Sequence, residues 1–200
     1  MEGNISLTFA LAYGFAHAFE ADHLLAVSTL VSKSKNTRQV LNNGFIWGLG
    51  HTSTIFIMGV LLLIFQVHTL KNYFDSLEIF VGIMLIVLGA IRIIRTQRNQ
   101  NIQHDHTHDR EAYGIGLVHG LAGSGALILL VMADLDSNLE AISFLLLFGL
   151  GSALGMAVAA IVLRMPLIRG KLFSERKKIF SWLAALLCIG YGLHILIGYF

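Results

Sequence analysis

Six continuous apolar stretches, at about residues 5–31, 42–66, 76–95, 113–133, 138–163 and 178–199, alternate with short polar segments. Each is near or above the ~20 residues an α-helix needs to cross ~30 Å of hydrocarbon. Within the runs, polar and apolar residues do not alternate, as the strands of a membrane barrel would require. The pattern therefore predicts an all-α, polytopic membrane protein with six transmembrane helices. These spans occupy most of the 200 residues, leaving a single membrane domain over 1–200 and no separate soluble one. The first run has no basic segment before it, only Glu2, so it reads as a span rather than a signal peptide.

Charge orders these spans across the bilayer. Lys33, Lys35 and Arg38 follow the first run; Arg92, Arg95, Arg98 and Arg110 end or follow the third; Arg164, Arg169, Lys171, Arg176, Lys177 and Lys178 separate the fifth from the sixth. The opposite segments hold Lys71, Asp75, Asp134, Asp136 and Glu140. Basic loops stay in the cytoplasm, so both termini are expected outside the cell membrane and the loop at about 96–112 inside.

The two halves also resemble each other. Tyr13-Gly14-Phe15-Ala16-His17-Ala18 lines up with Ile115-Gly116-Leu117-Val118-His119-Gly120, and Trp47-Gly48-Leu49-Gly50-His51 with Phe148-Gly149-Leu150-Gly151-Ser152. Repeat one then covers about 5–95 and repeat two about 113–199. With three spans each, the second must lie upside down relative to the first. Inverted repeats recur in secondary transporters, whose substrate binds at the midplane between them.

Composition narrows the class further. With 56% hydrophobic and 13% charged residues, the chain exceeds what a soluble surface tolerates. Its partner is the lipid bilayer, and the formal charge of +2, explained by topology, points to no nucleic acid. Twenty Gly residues suit closely packed membrane helices. Cys188 is the sole cysteine and lies within the last span, which leaves no disulfide frame or thiolate metal cage.

The chemistry lies in the first span. Ionisable groups at membrane depth are costly and mark functional pathways. His17, Glu20, Asp22 and His23 stand together in one apolar run. Imidazole with carboxylate suits nickel, cobalt, zinc or iron, whereas oxygen-only sites suit magnesium or calcium. On a continuous helix His17, Glu20 and His23 share one side, but Asp22 turns about 140° away from His17. Either the span is unwound there, or Asp22 stands behind the ligands and orients an imidazole. His51, expected near the start of the second span, is a further ligand or path residue. His119, the repeat mate of His17, is the next candidate. Thr52, Ser53 and Ser124 read as interhelical hydrogen-bonding residues. His104, His106 and His108 form a short tract in the cytoplasmic loop that can hold metal loosely. The roles of His68 and His194 stay open.

His17-x4-Asp22-His23, followed in the next span by Leu49-Gly50-His51-Thr52, resembles the signature of the nickel/cobalt transporter (NiCoT) family. The short length and His119-Gly-Leu-Ala-Gly-Ser-Gly125 look closer to its UreH-like relatives. Larger members carry this motif in the second of eight spans, and their later Asp-Thr motifs are replaced here by Gly/Ser-rich sequence. The resemblance implies a permease, not an enzyme. Ni2+ or Co2+ is then the transported substrate rather than a cofactor, often supplied to urease or hydrogenase. It carries metal-binding roles onto His17, Asp22, His23 and His51, and uptake is the expected direction. Efflux through the same site is the alternative. A rhomboid-like intramembrane serine protease, using Ser124 and His194, is a reading from another class, but it leaves His17, Asp22 and His23 unexplained.

Overall fold

Polar residues at the ends of the apolar runs decide where helices start and stop. The computed structural model describes residues 2–34, 36–65, 71–97, 108–121, 137–168 and 173–199. The helices there are α1 (Glu2–His17), α2 (Ala21–Lys33), α3 (Thr37–Phe65), α4 (Lys71–Gln97), α5 (His108–Gly120), α6 (Asn138–Ile168) and α7 (Phe173–Tyr199). Four contain stretches long and apolar enough to cross a membrane: Thr37–Leu61, Glu78–Gln97, Asn138–Met165 and Lys178–Gly198.

The first run is two helices rather than one. After His17, the Phe19 and Glu20 amides donate back three residues, to Ala16 O at 3.0 Å and His17 O at 3.1 Å. Glu20 is then extended (φ −63°, ψ 154°) and leads into α2. Neither Pro nor Gly marks the break. The charges match it instead, with His17 in the last turn of α1 and Asp22 in the first turn of α2. A helix C-terminus favours a basic group and an N-terminus an acidic one. The end of α5 copies this turn: His119 lies in its last turn, and the Leu121 amide donates to Val118 O at 3.2 Å.

The second run extends upstream of its apolar residues. Asn36 Oδ1 accepts the Gln39 amide at 2.8 Å, an N-cap that starts α3 at Thr37. His51 consequently sits mid-helix rather than near the start expected from hydropathy.

Packing pairs α1 with α6, α5 with α3, α3 with α6 and α4 with α7, while α2 leans on α6 and α7. Close approach needs glycine at these crossings, as two contacts illustrate. A Cβ on Gly14 would strike the Phe148 carbonyl, and one on Gly116 the Trp47 carbonyl. Thr52 adds an interhelical hydrogen bond, Oγ1 to Gly149 O at 2.9 Å. Arg92 is buried rather than lying in a polar loop. Its Nε donates to Ser181 Oγ and its Nη1 to Ser28 Oγ, both at 3.1 Å, tying α4 to α7 and α2.

Two apolar clusters form the interior. The larger includes Val27, Leu30, Val31, Val40, Trp47, Leu85 and Met156; the smaller is Ala10, Ile55, Phe144, Leu145 and Phe148. The outer face is apolar too: Leu146, Leu150, Leu154 and Val158 are exposed on α6. A helix apolar all round suits lipid on its outer side.

Candidate metal centre

The α1–α2 break brings together residues that a straight helix would separate. His17 ends α1, Glu20 lies in the turn, and Asp22 and His23 open α2. His51 enters from the middle of α3 and His119 from the end of α5. All four imidazoles are at most 2% exposed. Their ring centroids lie 4.4 Å apart for His17–His23, 4.9 Å for His23–His51, 5.5 Å for His17–His51 and 4.3 Å for His23–His119. His23 is the hub. His17, Glu20, Asp22, His23, His51 and His119 thus gather at one place.

The carboxylates orient the rings. Glu20 Oε1 lies 2.8 Å from His17 Nδ1, and Asp22 Oδ1 lies 2.9 Å from His23 Nδ1. A carboxylate can only accept, so Nδ1 carries the proton in both rings and Nε2 keeps its lone pair. Asp22 Oδ1 also accepts the His23 amide at 2.9 Å, and its Oδ2 accepts from His119 Nε2 at 3.1 Å. Asp22 therefore links the first and second halves of the chain.

What remains is a set of buried nitrogens with nothing to bind. His17 Nε2, His23 Nε2, both nitrogens of His51 and His119 Nδ1 have no hydrogen-bond partner among the described residues. His17, His23 and His51 can each offer a donor atom within 4.8 Å of the other two. Two nitrogens on one first-row ion, with bonds of ~2.1 Å, stand roughly 3–4 Å apart. Small side-chain shifts close the difference. Asp22, His23 and His119 form a second group of the same kind.

Aromatic walls close the cluster on two sides. Phe148 lies 5.4 Å from His17, and Trp47 lies 5.8 Å from His23 and 5.6 Å from His119. Sequence reasoning did not single out this pair, although both stand at matching positions of the repeat. Beside Asp22 a cavity of about 340 Å³, also lined by Glu20, Glu78, Val81 and Tyr191, reaches the cluster between α2, α4 and α7. Glu78 was equally missed, because nothing local distinguishes it from a helix-end carboxylate.

The remaining candidates lie elsewhere. His194 is exposed on α7, with its ring 6.1 Å from that of Tyr191. Cys188 is buried, its Sγ 3.4 Å from Leu25 O. His68, His104, His106 and Ser124 fall outside the described residues. His108 opens α5, and Asp109 beside it accepts from Asn42 Nδ2 at 3.1 Å.

Burying donors without partners costs stability, about 1–3 kcal/mol for each group. His51→Leu is therefore expected to stabilise the metal-free protein by ~1–2 kcal/mol, because it replaces two orphaned nitrogens with apolar surface. Thermal unfolding in detergent without metal measures this. A protein no more stable than the parent would mean that His51 already has a partner.

The family described as NicO, high-affinity nickel-transport protein, matches residues 5–111. The chain belongs to this family. As a NicO protein it is a multi-pass membrane protein and a transporter rather than an enzyme. His17, Glu20, Asp22, His23 and His51 all fall inside the NicO match, and His119 lies beyond it. The urease accessory protein UreH of Bacillus sp. (strain TB-90) is 33% identical over 178 residues, covering 80% of this chain and 76% of that protein. The nickel transporter NixA of Staphylococcus aureus is 30% identical over 95 residues, 42% of this chain and 28% of its own length. Chloroplast protein FOR GROWTH AND FERTILITY 2 of Arabidopsis thaliana is 24% identical across 90% of this chain and 52% of its own length. No solved structure matches the chain.

Proposed function

We propose that this NicO protein is a secondary permease that carries Ni2+ or Co2+ into the cell, binding the dehydrated ion between His17, His23 and His51. The observation that carries this reading is the convergence of their unpartnered, buried nitrogens. Asp22 and Glu20 hold His23 and His17 in the tautomer that turns Nε2 inward, as carboxylates behind metal-bound histidines commonly do. They also offset the charge of a divalent cation where the dielectric is low.

Transport follows from six spans in two inverted repeats with the site between them. Equivalent contacts support this arrangement. Gly14 meets the Phe148 carbonyl as Gly116 meets that of Trp47, and Gly151 meets the Leu11 carbonyl as Gly50 meets that of Tyr113. Each contact maps onto its counterpart at the same offset of about 100 residues. Gly82 and Gly192 face each other's carbonyls where α4 packs against α7. The termini then lie outside, and the loop around 96–112 is cytoplasmic.

The inside-negative potential favours entry by ~2.3 kcal/mol per charge per 100 mV. The name of the UreH relative suggests urease as a destination for the metal. Intrinsic affinity rises from Co2+ through Ni2+ to Cu2+, so selection among them must come from geometry.

Radiolabelled nickel uptake into cells tests the reading. Asp22→Asn keeps the shape but removes the charge that orients His23, and is expected to lower uptake by about 10–100-fold. Undiminished uptake would overturn the assignment. Expression of the parent that raises nickel tolerance, instead of lowering it, would reverse the direction.

A further inference from the structure

The two donor groups share His23, and the cavity reaches only one of them. Asp22 lines the cavity, and its side chain is 14% exposed; the side chains of His17, His23 and His119 are fully covered. His51 is likewise fully buried. A cation arriving through the cavity therefore meets the carboxylates of Glu20 and Asp22 before any ring nitrogen, and of these two only Asp22 belongs to a donor group. Its neighbours there are His23 Nδ1 and His119 Nε2, at 2.9 and 3.1 Å from the two carboxylate oxygens. Such separations also suit three ligands round one ion.

Building on the binding site assigned above, we infer that Asp22, His23 and His119 form a separate loading position. There the incoming cation is held before His23 passes it to His17 and His51. The imidazole of His23 suits this task because its two nitrogens are placed differently, Nδ1 against Asp22 and Nε2 without a hydrogen-bond partner among the described residues. Whichever nitrogen holds the ion, the other carries the proton, so the ring stays neutral at both stages. His119 behaves alike, with Nε2 toward Asp22 and Nδ1 left for its proton. Two divalent ions cannot sit there together. They would share one ring, require its deprotonation, and repel strongly at such a distance in low dielectric. One ion thus alternates between two places.

Stopped-flow Ni2+ binding to the full chain in nanodiscs, paired with calorimetry, separates loading from final affinity. His119→Ala is expected to slow association by about tenfold or more and to slow dissociation to match, so that equilibrium affinity moves by less than about threefold. His51→Ala is expected to keep rapid association while affinity falls by at least about tenfold and uptake stops. His119→Gln, which retains a donor for Asp22, repeats the kinetic result should the alanine variant fail to fold. Unchanged rates in the His119 variants would overturn the loading position. So would a loss of affinity as large as that of His17→Ala with association unaltered, which indicates one undivided site. If His17→Ala and His51→Ala both bind nickel like the parent, the underlying binding site falls instead.

Discussion

Alanine at His23 is expected to abolish high-affinity nickel binding and uptake together. No other side chain in the cluster touches both donor groups, and its ring lies within 4.9 Å of the other three imidazoles. Removing a group that merely orients a ligand costs about 10–100-fold in affinity. Loss of a central ligand exceeds that, so the dissociation constant is expected to rise at least ~100-fold. Calorimetry on purified protein and uptake in cells measure the two effects. His194→Ala, on an exposed part of α7, is the control and is expected to behave as the parent. Retained affinity in the His23 variant would place the ion elsewhere.

The second large effect concerns the scaffold. Gly116→Val places side-chain atoms where the Trp47 carbonyl and the His51 amide already lie. Both belong to the backbone of α3, so rotamer changes cannot relieve the clash; α5 has to move away. Overpacking of this kind costs about 1–3 kcal/mol even where side chains can yield, and more is expected against main chain. Moving α5 also carries His119 away from Asp22. The variant is therefore expected to melt several degrees lower in detergent and to lose uptake. Gly114→Val is the matched control, because nothing lies within 4 Å of a Cβ at that position. Equal melting temperatures for the two variants would contradict the close crossing of α3 and α5.

Much of the site was legible in the residues themselves. Hydropathy located α3, α4, α6 and α7, and the clash between helical geometry and the spacing of His17 and Asp22 exposed a problem that only a break or an indirect role could solve. The chain breaks after His17, and Asp22 is hydrogen-bonded to His23 Nδ1. The position of the break was not visible, because it uses no Pro or Gly and depends on the charges flanking Ala18-Phe19. The repeat pointed to His119 as the mate of His17. It did not reveal that His119 reaches Asp22, a contact that depends on how two distant helices cross. The upstream reach of α3 escaped hydropathy because a single polar residue, Asn36, starts the helix ahead of its apolar stretch. Trp47 and Phe148 escaped for the opposite reason: bulky aromatics are ordinary in any apolar run, and only their placement beside the rings distinguishes them.

The two apolar clusters on either side of the histidines have a bearing on energy conservation. Among the described residues, the Phe, Leu and Val side chains of these clusters pack into narrow oily regions, and such regions resist wetting. Packing of this kind opposes leakage of protons and sodium ions, which helps a host to keep its electrochemical gradients while many copies sit in its envelope.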